Sequence, residues 1–237
     1  MTGHPDLRER VFEANRDIVR AGLVVLTFGN ASGIDRATGV MAIKPSGVPY
    51  DALRPDSIVL VDVESGATLE GEYRPSSDTP THLTLYRRFA SVGGIVHTHS
   101  LHATAWAQAR RVIPCLGTTH ADQFHGPVPV TRALAHDEIR GEYEACTGDA
   151  IIETLDRLGL DPLEMPAALV ASHGPFAWGA DTVLAVENAI ALEAVAAMAL
   201  HTLILESAAE AIDDELLERH FLRKHGADAY YGQPFRS

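Results

Sequence analysis

The sequence predicts one α/β domain on a mixed or antiparallel sheet, and three observations predict it. The chain has 237 residues, comfortable for one domain and short for two. Hydrophobic residues make up 46% and charged residues 22%, which favours a packed core over disorder. Apolar runs are joined by turns early in the chain and by helices later, which argues against a doubly wound parallel sheet.

Leu7, Val11, Ala14, Ile18 and Ala21 recur at helical spacing, and Gly22 stops that helix. Leu23–Phe28, an apolar run rich in β-branched residues and broken by Gly29-Asn30, reads as a first strand. Val40–Ile43 reads as a strand running into the loop Lys44-Pro45-Ser46-Gly47. Ser57–Val63 reads as another, with Glu64-Ser65-Gly66 as the turn to a partner at Ala67–Glu70. Ser76-Ser77-Asp78-Thr79-Pro80 places polar cap residues and a first-turn proline before a helix with Leu83, Tyr86 and Phe89 on one face. Gly94–Ser100 reads as a strand, Leu101–Ala109 and Thr147–Leu158 as helices, and Ala167–Ser172 as a strand ending at His173-Gly174-Pro175. Thr182–Glu206 reads as a long helix and Asp213–His225 as the last, stopped by Gly226. No repeat, low-complexity tract or linker divides residues 1–237.

Composition excludes several classes. With 19 basic and 32 acidic residues the formal charge is −13, which argues against a nucleic-acid or anionic-lipid partner. Cys115 and Cys146 form neither a disulfide framework nor a cysteine-rich zinc site. Met1–Arg10 has no apolar run, so no secretory signal is read there and the expected localisation is cytoplasmic. Glu187, Asn188, Glu193 and His201 interrupt the apolar stretch Val183–Leu205, which reads as a core helix and not a membrane span. Histidine is abundant at 12 residues, whereas lysine occurs only at Lys44 and Lys224.

The strongest chemical signal is Ile95-Val96-His97-Thr98-His99. Strand alternation puts His97 and His99 on one face, about 6.6 Å apart along the strand, where two imidazoles can converge on one ion. His173 lies where a strand runs into a Gly-Pro turn, and Asp78 lies in a polar loop upstream. Three imidazoles and a carboxylate suit zinc or another first-row divalent ion better than calcium or magnesium. Such His-x-His pairs also occur as ordinary half-buried polar residues. Gly29-Asn30, Lys44-Pro45-Ser46-Gly47 and Ser76-Ser77 offer N–H groups, hydroxyls and a cation suited to phosphate oxygens, although a single loop of this kind is usually just a turn. No dinucleotide fingerprint, Walker A loop or GxSxG elbow is present. Asp122 and Tyr231 are further acid/base candidates, with a solvated loop carboxylate and a packing tyrosine as the plain alternatives. His220 and Arg223 read as a basic helix end.

In combination, Lys44-Pro45-Ser46-Gly47-Val48, Pro75–His82, Gly93–Ser100, Gly117–Asp122, Ser172–Gly179 and Arg223 through Gly232 resemble the L-ribulose-5-phosphate 4-epimerase group of class II, metal-dependent sugar-phosphate aldolases, from about Leu7 to Gln233. The resemblance implies a three-layer α/β/α fold with a central, mainly antiparallel sheet. It also implies a homotetramer with active sites between subunits, the tail at about 227–237 docking at an interface. Asp78, His97, His99 and His173 match the metal positions, with Zn2+ expected and Mn2+ or Co2+ as alternatives. Asn30, Ser46, Gly47, Ser76 and Ser77 match the phosphate end, with Gly29 and Lys44 alongside. Asp122 matches one acid/base, Tyr231 of a neighbouring subunit the other, and His220 a helper from that neighbour.

The implied substrate is a phosphorylated ketopentose and the implied reaction inverts its C4. The nearest rival is an aldolase that releases its aldehyde. In those relatives a Glu follows the Ser pair, where Asp78 stands here. A non-catalytic, metal-bound sugar-phosphate sensor is the rival from another class, and it needs the ligands but not both Asp122 and Tyr231, whose joint presence counts against it.

Overall fold

Ser32 and Gly33, adjacent on one strand, look into two different helix layers. The computed structural model describes residues 3–232, so the part of the expected tail beyond Gly232 lies outside the described residues. Ser32 Oγ lies 2.7 Å from His82 Nδ1 and 2.9 Å from the Tyr86 hydroxyl, both on helix α2 (Thr79–Arg88). A Cβ on Gly33 would instead meet Leu7 and Val11 of α1 (Pro5–Arg20) and Thr182 of α7 (Thr182–Leu205). Strand side chains alternate between faces, so helices cover both faces and the expected three layers are present.

The sheet comprises β1 (Asn30–Asp35), β2 (Val40–Ile43), β3 (Val59–Asp62), β4 (Thr68–Glu70), β5 (Gly94–His97), β6 (Ala167–Leu169) and β7 (Pro175–Gly179). Their order is β4-β3-β2-β1-β5-β7-β6, and every neighbouring pair is antiparallel. The remaining helices are α3 (Leu101–Ala109), α4 (Thr118–Ala121), α5 (His136–Arg140), α6 (Tyr143–Leu158) and α8 (Asp214–His225).

Five features differ from the sequence reading. Leu23–Phe28 forms no strand. Val25, Leu26 and Phe28 are exposed, and pairing starts only at Asn30. The strand expected over Gly94–Ser100 ends at His97, and that over Ala167–Ser172 ends at Leu169. Pro175–Gly179, hidden behind a Gly-Pro turn signal, is the strand that pairs with β5. Helix α6 begins at Tyr143, one turn before Thr147.

Two contacts anchor the centre of the sheet. The buried Asn15 amide of α1 brackets Ala31, donating to its carbonyl at 3.0 Å and accepting from its N–H at 2.9 Å. Helix α7 is long and apolar enough to cross a membrane by length and composition, yet here it packs on β5 and β7 and against α1 and α3. Ala185, Ala189, Leu192 and Ala196 on this helix are buried in the core, whereas Met198, Ile204 and Leu205 are exposed.

Candidate active site

Strand β5 delivers His97, and its neighbour β7 holds that side chain in place. His97 Nδ1 donates to the Pro175 carbonyl at 2.9 Å, which leaves Nε2 as a bare lone pair. The ring stacks on Phe176 with centroids 4.2 Å apart. His99 follows two residues on and brings its Nε2 to 3.2 Å from that of His97. His173 comes from the turn between β6 and β7, preceded by Ser172 in the left-handed region at φ 63. Backbone strain at such a position persists where the surroundings enforce it, here the Ser172 N–H bond to Ala107 O and the Arg110 bond to its hydroxyl.

One ligand atom from each of His97, His99 and His173 lies within 4.8 Å of the other two. Burial first, then neighbouring imidazoles, lowers both His99 and His173, the latter to about 4, so these rings are neutral at pH 7. Convergent neutral imidazoles are what a borderline divalent ion binds, so the residues fit the implied metal. Gly29 and Gly174 permit this closeness. A Cβ on Gly29, where φ is +88, would lie 2.8 Å from the His97 carbonyl, and one on Gly174 would lie 2.8 Å from that of Thr98.

Asp78 stands beside the three histidines, at the start of α2, and is not part of their compact trio. Its carboxylate accepts from Asn30 Nδ2 at 2.7 Å. Burial alone would raise this carboxyl, but His97, His82, the Asn30 amide and His173 bring it below the ordinary value. Asn30 Oδ1 is buried with no partner among the described residues, an acceptor available to a donor in the cavity.

These groups line a cavity of about 390 Å³ together with Gly29, Lys44, Ser46, Gly47, Ser76 and Ser77. The two loops that carry them are zipped together. Ser46 N–H bonds to Arg74 O and Ser76 N–H to Lys44 O, each at 3.0 Å. Lys44 is buried with its ammonium 4.6 Å from the centre of the Tyr50 ring, and burial lowers it to about 8. A desolvated cation beside hydroxyls and N–H groups is a favourable place for a phosphate dianion. Every metal and phosphate candidate from the sequence therefore meets in one cavity.

The acid/base candidates do not. Asp122 follows the short helix α4, and its carboxylate is gripped from α8, by Arg223 Nε at 2.9 Å and Nη2 at 2.6 Å and by His220 Nδ1 at 3.0 Å. Tyr231 packs its ring over Arg223 at 5.2 Å. Asp122, His220 and Tyr231 form one cluster within one chain, and none of them lines the cavity. Tyr231 and His220, expected to come from a neighbouring subunit, thus stand in the same cluster as Asp122 of their own chain.

Sequence reasoning missed Tyr143 and Glu144, which line the cavity. The Tyr143 hydroxyl lies 3.4 Å from His173 Nδ1. Both fall in the first turn of α6, ahead of the helix start that the sequence predicts at Thr147, and no motif marks them. His82, unassigned from sequence, is fully buried in the Ser32–Tyr86 network, and desolvation lowers it to about 3. A larger cavity, about 740 Å³, lies near Arg8, Arg54 and Glu70 and contains none of these histidines.

An antiparallel sheet between helix layers, with converging imidazoles facing a phosphate-type loop pair, is an arrangement able to hold a divalent ion beside an anionic group. The family described as class II aldolase and adducin N-terminal domain matches residues 9–200, and the chain belongs to it. Among its relatives, L-ribulose-5-phosphate 4-epimerase UlaF of Salmonella paratyphi B is 56% identical over 227 residues, 96% of this chain and 98% of that protein. The protein of the same name from Salmonella typhi is 55% identical over 227 residues, with the same coverage of 96% and 98%. The fold resembles that of an L-fuculose 1-phosphate aldolase, with a TM-score of 0.77 and 24% identity over 93% of this chain and 96% of the other. It also resembles the l-fuculose-1-phosphate aldolase of Thermus thermophilus, with a TM-score of 0.65 and 24% identity over 87% of this chain and 98% of that one.

Proposed function

We propose that this chain is an isomerase that inverts C4 of L-ribulose 5-phosphate, giving D-xylulose 5-phosphate by breaking and remaking the C3–C4 bond. The observation that carries the reading is the meeting of His97, His99 and His173 with Lys44, Ser46, Ser76 and Ser77 in one cavity. The relatives named for this reaction support it.

The chemistry follows from the substrate. With the carbonyl at C2, the hydrogen on C4 is not acidic, so simple proton exchange cannot invert that carbon. Cleaving C3–C4 turns C4 into the aldehyde carbon of glycolaldehyde phosphate and leaves its electron pair on the three-carbon half. His97, His99 and His173, with Asp78 as fourth donor, would hold a divalent ion, which would supply Lewis acidity to stabilise the charge left on the three-carbon half. Zn2+ suits this donor set, and Mn2+ or Co2+ are alternatives. Lys44, Asn30, Ser46, Gly47, Ser76 and Ser77, with Gly29 alongside, hold the phosphate while the aldehyde turns its other face, and so prevent its escape. Re-addition then gives the opposite configuration.

The C4 hydroxyl must lose a proton on one side and regain one on the other, the work assigned to Asp122 and Tyr231. Because these two and His220 cluster away from the cavity of their own chain, they serve the cavity of a neighbouring chain, and His220 orients the Asp122 carboxylate. The working unit is then a homotetramer of cytoplasmic chains. Each chain acts as one domain over 1–237, with its tail at the subunit boundary.

Turnover in deuterium oxide tests the route. Breaking C3–C4 yields D-xylulose 5-phosphate with protium at both C3 and C4. Deuterium at either carbon contradicts it.

A further inference from the structure

We infer that Glu193 is a positioning residue: from the middle of α7 it fixes where α3 begins, and thereby where His99 stands in the histidine trio. The inference rests on the reading that this trio holds a metal ion.

Glu193 lies in the apolar stretch of α7, which packs on the sheet and on α3. A carboxylate in such surroundings is costly unless its oxygens are bonded. Here they are. Oε1 accepts from the main-chain N–H of His102 at 2.8 Å and lies 2.8 Å from His102 Nδ1, and Oε2 accepts from the Ala103 N–H at 2.9 Å. These are first-turn N–H groups of α3, which have no acceptor within their own helix. Ser100, the residue before that turn, forms no side-chain cap to them. Glu193 therefore caps α3 from another helix, with its charge at the positive end of the α3 dipole. Burial alone would raise its carboxyl, but the Ala103 and His102 N–H groups and the Ser100 hydroxyl hold it below the ordinary value.

The position of this cap matters because of what precedes it. β5 ends at His97, and α3 begins at Leu101. On the strand side, the Pro175 carbonyl accepts from His97 Nδ1 at 2.9 Å and from the Thr98 N–H at 3.4 Å. On the helix side, the anchor is the Glu193 carboxylate. His99 sits in the short link between the two. Metal ligands must lie within about 0.2 Å of their proper distances. A first turn of α3 that frays moves His99 more than it moves His97, which is tied to β7, or His173, whose turn is bonded through Ser172 to Ala107 and Arg110 at the far end of α3.

The test is a Co2+ titration of the full-length protein, followed by its visible absorption, with thermal unfolding measured on the metal-free form. Glu193→Gln keeps the shape but directs an amide N–H at main-chain N–H groups, and Glu193→Ala removes the cap. Val61→Ala is the control. It opens a buried site on β3, separated from β5 by β2 and β1, and lowers stability without touching α3. The expected result is Co2+ binding weakened about tenfold or more in Glu193→Gln, with an altered absorption band. Val61→Ala keeps the affinity and band of the unaltered protein at a comparable loss of thermal stability. Glu193→Gln with unaltered affinity and spectrum overturns the inference, as does Val61→Ala losing affinity in proportion to stability. If the unaltered protein itself takes up no Co2+, the metal reading fails first and the inference falls with it. Should Glu193→Ala not fold, Glu193→Gln alone decides.

Discussion

The Nε2 atoms of His97 and His99 stand 3.2 Å apart, close to the roughly 3.3 Å edge between two nitrogens on one tetrahedral zinc ion. The Pro175 carbonyl accepts a hydrogen bond from His97 Nδ1–H, so the His97 Nε2 lone pair points at its neighbour and not into protein. Stripping the protein with a chelator is expected to abolish turnover and lower the unfolding midpoint, and re-adding Zn2+ or Mn2+ to restore both. An ion present at 1,000 times its dissociation constant stabilises by about 4 kcal/mol. Calorimetry of the stripped and reloaded protein checks this, and identical midpoints would contradict it.

Gly29 is the residue whose lack of a side chain matters most to that geometry. Gly29→Ala combines a left-handed backbone with a Cβ 2.8 Å from the His97 carbonyl. It is expected to cost about 1–3 kcal/mol of stability and to weaken metal binding, because relief of the clash moves β5 at His97. Denaturant unfolding and metal titration of this variant measure the two effects.

How much of this was legible follows from what each segment had to do. Val40–Ile43 and Ser57–Val63 read as strands because they pack as apolar runs. β1 did not, since its sequence NASGID must carry polar groups toward α2 and a bare Gly33 toward α1 and α7. β7 was masked by the same Gly-Pro signal that turns the chain to present His173. The His97–His99 pair was legible from alternation even though the strand stops at His97, because the next two residues carry the second ring to the same point. Tyr143 and Glu144 were not, as no local pattern shows that α6 packs against α2 and so brings its first turn to the cavity. The cluster of Asp122 with His220 and Arg223 joins residues about a hundred positions apart, a pairing that no spacing rule reports.

That cluster yields a subunit-mixing experiment. Asp122→Asn and His99→Asn proteins are each expected to be inactive, with Asp122→Asn losing about 100- to 10,000-fold. Unfolded and refolded together, they should regain activity, because some cavities then pair an intact histidine trio with an intact Asp122 from the neighbouring chain. Mixtures no more active than their parents would place Asp122 with the histidines of its own chain.

Acid unfolding reads the same contact. Burial alone would raise the Asp122 carboxyl, but Arg223 and His220 hold it below the ordinary carboxylate value. A carboxyl lowered in the folded state stabilises in full above its unfolded value of about 3.9, and that contribution is lost as the pH falls through the lower folded value. The gap between the unaltered protein and Asp122→Asn should therefore be constant near neutrality and close below about pH 4. Unfolding midpoints across that range check it, and a gap unchanged down to pH 2 would contradict it.

The most direct measurement follows L-ribulose 5-phosphate by NMR with the Zn2+- or Mn2+-loaded protein. Conversion to D-xylulose 5-phosphate with no free glycolaldehyde phosphate is the expected result, an aldehyde made, turned and recaptured in one cavity. Accumulation of dihydroxyacetone and glycolaldehyde phosphate would mean an aldolase that lets its product go. An unchanged substrate with the metal bound would contradict the catalytic reading and leave a sugar-phosphate binding protein in its place.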